Sequence, residues 1–144
     1  MERAVMVHRT LSVFALVGIL FIAGSASAQE PDTKAARAAA DTWLALVDAG
    51  DYPQSWETAA TFFKKAVTSE TWQSAVKTAP GPFGAFKSRT IRATTPATKL
   101  PGAPEGEYVV FDFDATYEQK AGSERVTVVR ENDGSWRVVG YFIK

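Results

Sequence analysis

The feature that most constrains this chain is a change of hydrophobic period near Lys87. Before it, apolar residues recur at three- and four-residue steps; after it, they alternate with polar ones. A period near 3.6 marks helices with one buried face, and a period of two marks strands of a half-buried sheet. A chain that completes its helices before starting its strands is expected to be α+β, with N-terminal helices packed on a curved four-stranded antiparallel sheet.

In the helical part, Asp32 or Thr33 supplies a capping oxygen for a helix running to about Ala49. Ala36, Ala40, Trp43, Leu44 and Val47 form its apolar face, and Gly50 is suited to end it. Asp51-Tyr52-Pro53 opens a second segment that continues through Phe62, Phe63, Ala66 and Val67 after a kink near Thr61. Thr68-Ser69-Glu70 opens a third, which Pro80-Gly81-Pro82 must stop by Ala79. Phe83, in the turn that follows, reads as buried.

The strand part divides at its turn residues. Residues 88–98 read as a first strand, polar on both faces, which Pro96 confines to an edge or a bulge. A Pro/Gly-rich loop at 100–106 leads to the clearest strand, 107–118. Lys120-Ala121-Gly122 reads as a turn before a strand at 125–131, and Asp133-Gly134 as a two-residue hairpin turn into a last strand at 136–143. That turn length sets Glu131 opposite Trp136 and Arg130 opposite Arg137. The two arginines then need a carboxylate between them, from Asp112 or Asp114.

The first 28 residues carry a different signal. Basic Arg3, His8 and Arg9 precede an apolar run at 11–23, and Ala26 and Ala28 present small side chains at a cleavage position. That order is the pattern of a secretory signal peptide, and the run is shorter than the roughly 20 residues of a spanning helix. The expected division is a signal at 1–28, a polar leader at 29–35 and one domain at 36–144, periplasmic or secreted, without a stable membrane anchor.

Cleavage removes the only histidine and both methionines, leaving 116 residues with no His, Cys or Met. Subtracting Arg3, Arg9 and Glu2 from the totals leaves 14 basic and 15 acidic residues, so no basic excess invites nucleic acid. Serine has no imidazole to activate it, no thiol exists, and zinc has no nitrogen or sulfur ligands. No catalytic residue, metal or cofactor is expected. The fold must hold by apolar packing without disulfides, and four Trp, four Tyr and seven of the nine Phe lie in this part.

Weak candidates for binding remain. On the second strand Val109, Phe111, Phe113, Ala115 and Tyr117 share the face expected to meet the helices, and Asp112 and Asp114 share the other. Two carboxylates so placed suit acid–base work or a hard cation, but a solvated face paired with Arg130, Arg137 or a lysine accounts for them more simply. Trp43, Trp56, Phe62, Phe63, Trp72 and Phe83, with a hydroxyl from Tyr117 or Tyr141, supply material for a pocket; aromatic residues at helical spacing read first as core.

Several stretches together resemble one family of exported bacterial proteins, domain-of-unknown-function family 4019: residues 43–52 (WLALVDAGDY), 55–60 (SWETAA), 63–67 (FKKAV), Ser88-Arg89, 100–110 (LPGAPEGEYVV) and 136–142 (WRVVGYF). The resemblance spans residues 36–144 and implies a small α+β domain of the cystatin-like or nuclear-transport-factor-2-like type, in a Gram-negative periplasm. It carries over no catalytic residues.

Two functions follow as expectations. The first is a non-enzymatic module that holds a small apolar ligand or a protein partner, a homodimer through the sheet face included. Arg89, Asp112, Asp114, Arg130 and Arg137 are then surface groups. The alternative is a ketosteroid-isomerase-like enzyme using Asp112 or Asp114 with Tyr117 or Tyr141 for proton transfer. Export is tested by intact mass: protein recovered from the cell envelope should begin at Gln29, and retained Met1 would refute the placement.

Overall fold

The computed structural model of the chain describes residues 32–144. The expected signal segment, with Ala26 and Ala28, and the first residues of the leader lie outside the described residues. Four helices come first: α1 (Thr33–Asp48), α2 (Tyr52–Glu57), α3 (Thr61–Ala66) and α4 (Ser69–Thr78). A short 3-10 turn (Gly81–Phe83) leads into β1 (Phe86–Ala97), β2 (Tyr108–Tyr117), β3 (Ala121–Arg130) and β4 (Trp136–Ile143). The strands form one open antiparallel sheet in the order β1-β2-β3-β4, so the fold is α+β.

Local chemistry explains the helix ends. Asp32 Oδ1 accepts from the Ala35 N–H at 3.1 Å and caps α1, and Thr68 does the same for α4 through Thr71 at 3.2 Å. The α1 helix therefore begins inside the expected leader. Gly50, at φ 75°, takes the left-handed conformation that lets the chain turn away from α1.

The second helical segment is broken rather than kinked, which makes four helices where three were expected. Ala60 is extended, and its N–H donates to the Val138 carbonyl of β4 at 2.8 Å. A bond to the sheet replaces the one that would have continued the helix. The N–H of Thr61, at the start of α3, donates to Glu131 Oε1 at 2.7 Å, so the β3–β4 loop supplies the cap that α3 lacks in its own sequence.

Two strand details also differ from expectation. The β3–β4 loop has three residues, Asn132, Asp133 and Gly134, closed by the Glu131 N–H donating to Ser135 O at 2.8 Å, with Gly134 at φ 84°. The register moves by one: Arg130 faces Trp136, and Arg137 faces Val129. The facing arginine pair does not form. A bulge beside Thr127 and Val128 then returns Tyr141 to the side of Val126. At the other end, β3 starts at Ala121, where a turn was expected, because Gly122 lets the Phe83 ring and the Lys144 carbonyl approach the strand.

The core lies between α1, α4 and one sheet face. Val109, Phe111, Phe113, Val126, Val128 and Val138 meet Ala36, Ala40, Trp43, Leu44, Trp72 and Val76. Ser55 links the helices, its carbonyl accepting from Trp43 Nε1 at 2.8 Å and its hydroxyl from Trp72 Nε1 at 2.9 Å. Trp43, Trp72 and Phe63 thus pack in or against this core, Trp43 also touching an open groove beside Leu46 and Trp136, while Phe62 is exposed and Phe83 only half-buried. The outer sheet face is partly covered as well: Tyr108 is buried under the 100–106 loop, its hydroxyl donating to Pro104 O at 2.6 Å. The outer strand β1 carries Pro96 and irregularities of register at two points.

A Cβ on Gly122 would stand 2.6 Å from the Phe83 ring and 2.9 Å from the Lys144 carbonyl. Gly122→Val should therefore cost about 1–3 kcal/mol in denaturant unfolding. Gly81→Ala, whose Cβ meets nothing within 4 Å, should stay within about 0.5 kcal/mol of the parent.

Candidate functional site

Three charged side chains from three elements meet at one end of the helix–sheet interface. Arg89 comes from β1, where it stands opposite Ala115 on the core side. Glu124 comes from β3, opposite the fully buried Phe113. Asp48 is the last residue of α1. Arg89 Nε donates to Glu124 Oε2 at 2.6 Å and Nη2 to Oε1 at 3.2 Å. The same guanidinium grips Asp48, Nη1 to Oδ2 at 2.7 Å and Nη2 to Oδ1 at 2.8 Å. Its carbon lies 3.8 Å from the centre of the Phe86 ring, a cation–π contact.

The cluster is well shielded, with side-chain exposures of 1% for Glu124, 14% for Arg89 and 27% for Asp48. A carboxylate at a helix C-terminus meets the negative end of the helix dipole, so Asp48 needs the opposing charge that Arg89 brings. Burial works against the charged guanidinium, but the hydrogen bonds and charges of Asp48 and Glu124 outweigh it and raise the pKa of Arg89. Tyr141 donates its hydroxyl to Glu124 Oε1 at 2.7 Å. Burial, then the Glu124 charge, push the Tyr141 phenol well above its usual range.

Beside the cluster is a cavity of about 270 Å³. Its apolar wall comes from Val47, Val76, Phe86 and Ile143, and its polar groups from Asp48, Glu124, Tyr117 and Tyr141. The Tyr117 ring packs on Phe83 and Phe86, with centroids at 5.2 and 6.0 Å. Its hydroxyl is buried and makes no hydrogen bond of ordinary length among the described residues, although the Glu124 carboxylate is near enough to act on its proton. Burial first, and the nearby Glu124 charge second, raise its pKa far above the ordinary phenol value. A buried polar atom left without a partner costs about 1–3 kcal/mol, so a donor or acceptor brought to it gains that much in principle.

Of the six candidates read from the sequence, Tyr117 and Tyr141 line this cavity. The other four do not. Asp112 pairs with Arg125 on the outer sheet face at 2.7 and 3.1 Å, and that hydrogen bond holds its carboxyl below the usual range against the opposing effect of burial. Asp114 is largely exposed and reaches Arg92 at 3.4 Å. Arg130 donates to Glu107 at 3.2 Å and Arg137 to the Ser135 hydroxyl at 3.3 Å. Each carboxylate on that face thus has its own arginine, rather than sharing Arg130 or Arg137 as expected.

Arg89, expected at the surface, is instead the centre of the buried cluster. Glu124 and Asp48 escaped notice altogether. A signal for Glu124 was present, since it lies two and four residues before the buried Val126 and Val128 and so in phase with the core. Starting the strand at Arg125 hid it.

A family model described as protein of unknown function (DUF4019) matches residues 39–141, and the chain belongs to that family. The matched stretch contains Asp48, Arg89, Tyr117, Glu124 and Tyr141. No curated protein and no solved structure matches the chain.

Removing one member of a buried ion cluster leaves the others desolvated and unpaired, at a cost of about 3–5 kcal/mol. Glu124→Ala should lose that much stability in urea unfolding, and Asp114→Ala, at an exposed pair, no more than about 0.5 kcal/mol. Equal losses for the two variants would show that the cluster does not hold the fold.

Proposed function

We propose that this member of the DUF4019 family is an exported, non-enzymatic binding domain that takes a small, mainly apolar molecule into the cavity beside Tyr117 and Tyr141. The observation that carries the reading is a cavity with apolar walls and a few polar groups, among them a buried Tyr117 hydroxyl that makes no hydrogen bond of ordinary length. Sites for small molecules combine apolar walls with a few polar groups that orient the occupant. At about 270 Å³ the cavity is below the roughly 300–1,000 Å³ of drug-sized sites and above the roughly 150 Å³ that admits benzene. The occupant is a molecule of about one ring.

Proton transfer has less support. Asp112 and Asp114 lie on the opposite sheet face from the cavity, each held by an arginine. Glu124 is within reach of a tyrosine, but three donors from Arg89 and Tyr141 already engage its oxygens. A carboxylate so engaged has little capacity to collect a proton from a substrate. Export rests on the pattern of residues 1–28, and the cystatin-like or nuclear-transport-factor-2-like curl on the family resemblance. Association through the outer sheet face is the second reading, favoured by Phe142, which is 61% exposed there.

The test is a thermal-shift screen of one-ring fragments against the purified protein, with native mass spectrometry for co-purifying molecules. Several fragments should raise the melting temperature, and Ala85→Trp, which fills the cavity from its exposed rim, should remove the shifts. A screen without shifts, or shifts that survive Ala85→Trp, would sink the reading.

A further inference from the structure

We infer that the cavity selects a small organic cation: one apolar ring bearing a single ammonium group. The inference deepens the binding reading and rests on it. The first argument is charge balance. Asp48 and Glu124 both touch the cavity, and one guanidinium, Arg89, serves them both. Arg89 spends its Nε, Nη1 and Nη2 groups on four hydrogen bonds to these carboxylates, so it is not free to seize an anionic ligand. The wall is left with one uncompensated negative charge. In a shielded site a cation relieves that imbalance, whereas a second anion adds to it.

The second argument is the surface that the occupant meets. Tyr52, Tyr117 and Tyr141 are among the residues that line the cavity, and aromatic side chains are favourable surroundings for ammonium groups. The unpartnered Tyr117 oxygen offers lone pairs to an ammonium N–H. Burial first, and the nearby Glu124 charge after it, keep that hydroxyl in its neutral form, so its oxygen is an acceptor and not an anion. The apolar wall of Val47, Val76 and Ile143 receives the rest of the molecule.

Three probes of nearly equal shape test this by isothermal titration at low ionic strength: phenethylamine, 2-phenylethanol and 3-phenylpropionate. The amine should bind about tenfold more tightly than the alcohol, and the acid most weakly. Asp48→Asn makes the cluster neutral while leaving Arg89 paired with Glu124, and it should bring amine and alcohol within about twofold of each other. Circular dichroism checks that this variant remains folded; if it does not, Tyr117→Phe, which should weaken the amine more than the alcohol, takes its place. Equal binding of amine and alcohol, or preference for the acid, overturns the inference and leaves the binding reading standing. Failure of all three probes also overturns it, and the fragment screen then decides whether the binding reading falls too.

Discussion

One guanidinium joins the two layers of this protein at their least apolar point. Arg89 on β1 reaches both the last residue of α1 and Glu124 of β3, so three elements distant in sequence meet in a single cluster of charge. Isolated carboxylates in such surroundings would be strongly unfavourable, and the pairing is what lets Glu124 sit among Phe113 and Val126. The arrangement contributes specificity of packing more than net free energy. It fixes how the end of α1 lies on the sheet, and the cavity wall is built on that placement.

The other end of the helical layer is held by backbone chemistry. Ala60 gives its N–H to β4, which interrupts the helix, and Glu131 then caps the piece that restarts at Thr61. Glu131 closes the three-residue turn through its backbone, which leaves its side chain at the end of the hairpin to reach Thr61. The broken helix and the shifted hairpin are therefore one feature, in which a loop glycine and a glutamate set the path of a helix 70 residues earlier in the chain.

What could be read from the sequence was whatever depended on local period. The buried faces of α1, α4 and β2 follow from spacing alone, and alternation along β2 correctly separated Tyr117 from Asp112 and Asp114. What depended on distant partners could not be read. The break at Ala60 needs β4, the extension of β3 to Ala121 needs the Phe83 ring beside Gly122, and the burial of Arg89 and Glu124 needs each other. Polar residues in phase with a core are read as errors of alternation until their counter-charge is known, and that counter-charge lay 35 residues away.

The rims of the sheet have a consequence of their own. One rim carries a proline and two interruptions of pairing along β1, and on the other a carbonyl of β4 is already taken by Ala60. A strand from a second molecule thus finds few regular docking bonds on either side, which is how small sheet proteins resist growing into ribbons. A contact between copies is thereby directed to side chains on the sheet face instead of to the main chain at its rims.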